Sequence, residues 1–181
     1  MLSSSSVRNW AIASITAGAL VGAGFSLPWF FASNDPAGAL VLNGWQLLAG
    51  LFVSEKGDLL RPGATPLPII LMLGGSVLLP LVAIFLLVIG VLGLAGKAAR
   101  WMALTQIVVA WVGVVALVLG PGLLALLFYA LANLDVRRPN AVPIPGVGVW
   151  LMVAGLLTAL VSGIRFRRAG RRHIGETAPA S

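Results

Sequence analysis

Long apolar runs separated by short polar clusters dominate the chain, and their lengths predict its elements. A bilayer core about 30 Å thick takes roughly 20 apolar residues in helical form. Four segments reach that length, 10–31, 67–94, 101–131 and 147–164, and none contains a charged side chain. The third is too long for one upright span and is interrupted by Gly120-Pro121-Gly122, so a single long, broken helix is expected there. The pattern predicts an all-α integral membrane protein. Residues 1–168 form one four-transmembrane-helix bundle, 32–66 a long first outer loop, and 169–181 a basic, flexible tail. The first segment exceeds the length of a signal-peptide apolar region, so it is expected as a retained span.

Composition agrees. Of 181 residues 59% are hydrophobic and only 9% charged, where a soluble domain carries roughly 25% charged residues. Lipid must be the solvent for most of this chain.

Charge sets the orientation. An even number of spans places Arg8, Lys97, Arg100, Arg165, Arg167, Arg168, Arg171 and Arg172 on one side with a single acid, Glu176. The other side holds Lys56, Arg61, Arg137 and Arg138 against Asp35, Glu55, Asp58 and Asp135. Excess Lys and Arg in short loops marks the cytoplasmic side, so both termini are expected there. Trp10 and Trp101 then fall at the inner interface, and Trp29, Tyr129 and Trp150 near the outer one, where amphipathic rings prefer to sit. Trp111 lies about 15 Å deeper than Trp101. Its ordinary reading is packing against a helix or lipid, and its sharper reading is contact with a bound quinone, pigment or lipid tail.

Burial alone does not drive helices together in lipid, but close backbone approach does. Ser14, Gly18, Gly22 and Ser26 form an i+4 stripe on the first span, and Gly155, Ala159 and Gly163 another on the fourth. These two stripes are expected to face each other or to receive a partner's helix. Pro80 should kink the second span.

In the outer loop, Asn43-Gly44 between apolar runs has two readings. One is a tight hairpin turn. The other has Asn43 capping a short helix through Trp45 to Phe52. Either way Trp45, Leu48, Leu51 and Phe52 give the loop an apolar face. Leu27-Pro28-Trp29, the Gly44-Trp45 pair, a short inner loop and an over-long third span together resemble the claudin-like four-helix topology. The resemblance covers architecture rather than motif, and the loop cysteine pair of claudins has no counterpart in this cysteine-free chain. What it implies is a four-helix arrangement alone; a junction-forming or adhesive role is not carried over from it.

Chemistry is scarce. Without cysteine there are no thiolate sites, and His173 is the lone histidine, which excludes bis-His haem ligation within one chain. Intramembrane ionisable residues mark most proton relays and transport sites, and the four segments have none. Gln106 is their only amide. It is expected to bond a neighbouring helix or, in a functional reading, a ligand head group. The run Arg165-Phe166-Arg167-Arg168 with Arg171 and Arg172 is a topology signal that also attracts anionic lipid.

No cofactor of its own, no metal and no catalytic residue are expected; bound phospholipid is. The expected function is that of a non-catalytic accessory subunit of a larger bacterial inner-membrane complex, of the respiratory or photosynthetic electron-transfer kind. Its partners would be other membrane subunits and anionic lipids, not nucleic acid. The bacterial source rests on a composition rich in Ala, Gly, Leu and Val with Arg favoured over Lys. The alternatives are a small homo-oligomeric channel or carrier for a neutral or lipophilic substrate, and the claudin-like adhesion or sensor protein.

Overall fold

A computed structural model of the chain describes residues 4–32, 41–53, 67–97, 100–126, 129 and 143–175. It is mostly helical. Helix α1 spans Ser4–Ser26, α2 Gly44–Val53, α3 Leu67–Leu94, α4 Arg100–Leu117 and α5 Val147–Gly175. Three short strands, β1 (Phe30–Ala32), β2 (Val41–Leu42) and β3 (Pro143–Pro145), form one sheet in the order β2-β1-β3. Among the described residues three helical stretches are long and apolar enough to cross a membrane: Leu73–Leu94, Trp101–Leu126 and Val147–Ala169. Helix α1 is not in that set. It opens on Ser4, Ser5, Ser6, Arg8 and Asn9, and its interior is largely Ala, Gly, Ser and Thr, residues that are small rather than strongly apolar. It nevertheless packs most extensively against α3 and α5.

The expected first segment, 10–31, differs from α1 at both ends. The helix begins at Ser4 and stops at Ser26, closed by the Leu27 N–H on the Ala23 carbonyl at 3.1 Å. Pro28 disfavours helical geometry at the residue before it, and the chain turns so that Phe30 and Phe31 enter β1. The central strand pairs antiparallel on both sides, Phe30 with Leu42 and Pro145, and Phe31 with Val41 and Ile144. Proline suits an edge strand because it donates no ladder hydrogen bond; β3 is such a strand. One small sheet thus joins the chain after α1, before α2 and before α5 at one end of the bundle.

At Asn43-Gly44 the structure adopts the helix, not the hairpin. The Asn43 side-chain oxygen accepts from the Gln46 N–H at 2.8 Å, and the Gln46 side-chain oxygen accepts from the Asn43 N–H at 3.0 Å. This reciprocal arrangement satisfies two otherwise unpaired donors at the start of α2. The expected loop residues 33–40 and 54–66, with Asp35, Glu55, Lys56, Asp58 and Arg61, lie outside the described residues. So do Asp135, Arg137 and Arg138.

Helix α3 ends at a left-handed Gly96 (φ 74°). The Lys97 N–H reaches the Leu92 carbonyl at 3.0 Å and the Gly96 N–H the Gly93 carbonyl at 3.2 Å, a paired C-terminal cap that glycine permits without strain. The short turn leads into α4. There the Gly120-Pro121-Gly122 interruption does not break the helix: Val118–Gly122 forms one π-helical turn, and helix resumes to Leu126. Proline offers no N–H, and the wider turn absorbs the mismatch. A Cβ on Gly75 would stand 2.5 Å from the Gly120 nitrogen, so α3 and α4 meet backbone to backbone at this point. The described part of the third segment ends short of the expected 131. Helix α5 runs beyond the expected boundary, through the basic run to Gly175. Residues 169–175, expected as flexible tail, are therefore helical, and 176–181 lie outside the described residues.

Candidate functional site: a polar layer and a groove at the basic end

Two apolar clusters fill the bundle. The larger, at the sheet end, contains Ala17, Val21, Phe25, Trp29, Ala110, Met152, Leu156 and Ala159. The smaller contains Trp10, Ala11, Ile89, Met102, Ala103 and Phe166. On α1 the residue between them is Ser14, on α4 Gln106 and on α5 Ser162. These three meet. The Ser14 hydroxyl lies 3.0 Å from the Gln106 side-chain oxygen and 3.0 Å from the Trp10 carbonyl. The Gln106 amide nitrogen donates to the Ala159 carbonyl at 2.9 Å and to the Ser162 hydroxyl at 2.8 Å. Ser162 in turn donates to the Ala159 carbonyl at 3.1 Å. Both Gln106 donors and its acceptor are used. Gln106 is fully buried, and its amide binds three helices into one register.

Replacing Gln106 by leucine removes these bonds at similar volume. Ser14 and Ser162 keep carbonyl acceptors on their own helices, so no hydroxyl is stranded and the loss is modest, about 1–2 kcal/mol. Unfolding in detergent measures it. Thr105→Val serves as the control, because Thr105 donates only back to the Trp101 carbonyl at 2.9 Å; equal stability of wild type and Gln106→Leu would contradict the assignment.

The small-residue stripes do not meet as expected. A Cβ on Gly18 would stand 2.8 Å from the Ala83 carbonyl oxygen, so the Gly18–Gly22 face of α1 packs on α3. Gly155 approaches α1 on its other face, where a Cβ would lie 2.7 Å from the Ala17 carbonyl, and Gly163 faces Ala103 and Ile107 of α4. Successive helical residues are turned by about 100°. Ala17 and Gly18 therefore look toward different neighbours, and α1 carries two small faces instead of one. At the sheet end Ser26 accepts from the Trp45 indole at 2.9 Å and donates to the Gly22 carbonyl at 3.2 Å. Ser14 and Gln106 are brought together; Thr105 and Ser26 do not join them.

Two of the expected interfacial tryptophans are enclosed by protein. Trp10 is 3% exposed and stacks on Phe166 at 4.6 Å. Trp29 is completely buried and donates to the Gly24 carbonyl at 3.2 Å, because the turn at Pro28 carries it under the sheet instead of outward. Trp45, Trp101 and Trp150 are exposed. Trp111 is 57% exposed, on the outward face of α4 with Val108, Val112 and Val115, and no helix among the described residues covers it. Met102 and Met152 are core packing residues.

At the end away from the sheet, Arg8, Lys97, Arg165, Arg167 and Arg168 are exposed. Arg171 and Arg172 continue on α5, with side chains outside the described residues. A groove of about 630 Å³ opens here between α1 and α5. Ser6, Asn9 and Arg165 border it at the polar end, and Ala13, Leu157 and Val161 line it farther in. Among the described residues there is no group of three or more His, Cys, Asp or Glu able to hold a metal ion.

Sequence reasoning missed Ser162 and the groove. Ser162 stands beside the Gly155–Ala159–Gly163 stripe, which was the available signal; the pairing of Trp10 with Phe166 had none. No family model, curated protein or solved structure matches this chain.

Proposed function

We propose that this chain is a non-catalytic structural subunit of a larger complex in a bacterial cytoplasmic membrane. It crosses four times, with α1 as the fourth span, and carries both termini on the cytoplasmic side. The observation that carries this reading is the use of its intramembrane polar groups. Ser14, Gln106 and Ser162 are spent on each other and on backbone carbonyls, which supports a part whose work is holding helices in place.

The orientation is supported by Arg8, Lys97, Arg165, Arg167 and Arg168 gathering at one end, since positive charge is retained on the cytoplasmic side. The exposed apolar faces of α3 and α4 offer surface to lipid or to the helices of partner subunits. Respiratory and photosynthetic electron-transfer assemblies are the hosts to test first, with quinone, haem or pigment held by the partners and no cofactor by this chain. Anionic lipid is the other partner we propose, and nucleic acid is not one.

Gentle detergent extraction, native-gel separation and mass spectrometry of the band containing this chain test the reading. Co-migration with other membrane subunits at fixed stoichiometry is expected. A band holding this chain alone would contradict it and would favour the channel or carrier.

A further inference from the structure

The groove between α1 and α5 is graded in polarity along the bundle axis. Its mouth carries the Arg165 guanidinium with Asn9 and Ser6; its depth is walled by Ala13, Leu157 and Val161. From Leu157 to Ala169 it follows about 18 Å of helix. The volume, about 630 Å³, lies inside the range of about 300–1,000 Å³ typical of small-ligand sites. The two hydroxyls along its α5 wall are engaged within the protein. Thr158 donates to the Ala154 carbonyl at 2.8 Å, and Ser162 to the Ala159 carbonyl at 3.1 Å. The inner part of the groove is therefore suited to hydrocarbon.

Two further observations point to a ligand with a polar, anionic head. All eight cations of the described residues belong to the end where the groove opens. Trp10, which forms part of the groove wall, also holds a buried indole N–H with no acceptor among the described residues. A buried donor left unpaired costs about 1–3 kcal/mol, and an ester or phosphate oxygen in the groove would relieve that cost.

We infer that this groove binds one anionic phospholipid, its phosphate held by Arg165 and Asn9, its ester region at Trp10, and an acyl chain lying along Ala13, Leu157 and Val161. The site rests on the cytoplasmic placement of the basic end but not on membership of a complex. A bound lipid here would fill the seam between the first and last helices at the headgroup level, where Trp10 and Phe166 stack.

Native mass spectrometry of the full-length chain, purified in a mild detergent and titrated with phosphatidylglycerol or phosphatidylcholine, tests it. One phosphatidylglycerol should remain bound where phosphatidylcholine does not. Arg165→Gln should weaken that binding about tenfold, as expected for losing one charge-assisted contact. Val161→Trp, a change at an exposed position that fills the groove, should abolish it. The double variant Arg167→Gln/Arg168→Gln removes more charge beside the groove and should leave binding unchanged. Circular dichroism confirms that each variant is folded. Equal binding of the two lipids, retention of lipid by Val161→Trp, or a loss in the double variant as large as in Arg165→Gln would each overturn the inference. Because the purified chain is used, failure here leaves the subunit reading standing, and solitary migration on the native gel leaves the lipid site standing.

Discussion

Truncating Trp29 to alanine lowers the unfolding free energy by about 4 kcal/mol, the largest effect expected of any single side chain. The ring is completely buried, so its removal leaves a cavity where α1, the sheet and α5 converge. It meets Phe25 edge-on at 5.4 Å, and its N–H closes the end of α1 on the Gly24 carbonyl. Its backbone carbonyl accepts from the Gly146 N–H at 2.6 Å, which fixes the entry to α5. Trp45 provides the comparison. It also meets Phe25 edge-on, at 5.0 Å, but it is 54% exposed, so Trp45→Ala should cost only about 1 kcal/mol. Equilibrium unfolding in detergent, followed by circular dichroism, separates the two. Equal losses would mean that Trp29 sits at the interface, as the aromatic-belt expectation placed it.

The second large effect belongs to a pair of glycines. A Cβ on Gly24 would fall 2.5 Å from the Gly148 carbonyl oxygen and 2.9 Å from the Met152 nitrogen; one on Gly148 would fall 2.5 Å from the Gly24 carbonyl. Backbone atoms on both sides cannot swing away as side chains do, so Gly24→Ala must push α1 and α5 apart. Overpacking of this kind costs up to about 3 kcal/mol, and the better helix propensity of alanine returns about 1. A net loss of about 2 kcal/mol is expected. Two residues earlier the outcome reverses. A Cβ on Gly22 would rest 3.8 Å from the Ala83 Cβ, an ordinary contact, so Gly22→Ala should leave stability unchanged or slightly raised. The same unfolding measurement decides; a Gly22→Ala loss matching that of Gly24→Ala would contradict the packing of α1.

These contrasts show what the sequence makes legible. Apolar run length and proline position place the long helices, since both act locally: Pro28 ends α1, and the Gly-Pro-Gly run marks the π turn. Partner choice is less readable. Small residues at Gly18 and Gly155 mark close approach, yet a stripe of small residues fits any neighbour equally well, and Gly22 in the same stripe makes only an ordinary contact. Only the whole bundle decides that Gly18 meets Ala83 while Gly155 meets Ala17. Trp29 is misread for a related reason. Its burial depends on Phe30 pairing with Pro145, a contact between distant parts of the chain that no local pattern announces. Asn43 leaves two readings open because both a tight turn and a helix cap use its side chain; Gln46, three residues on, completes the cap. Gln106 stands out as the lone intramembrane amide, but its three partners, Ser14, Ala159 and Ser162, lie in two stretches of sequence far from it and from each other.

We propose that the chain holds other membrane subunits together without performing chemistry or transport. Deleting it from the native membrane, then measuring both the amount of assembled host complex by native gel and the turnover per assembled complex, tests that claim most directly. Less assembled complex is expected, with turnover per complex largely retained. A complex that assembles in full but loses its turnover, or a transmembrane flux that disappears while every complex stays intact, would contradict it.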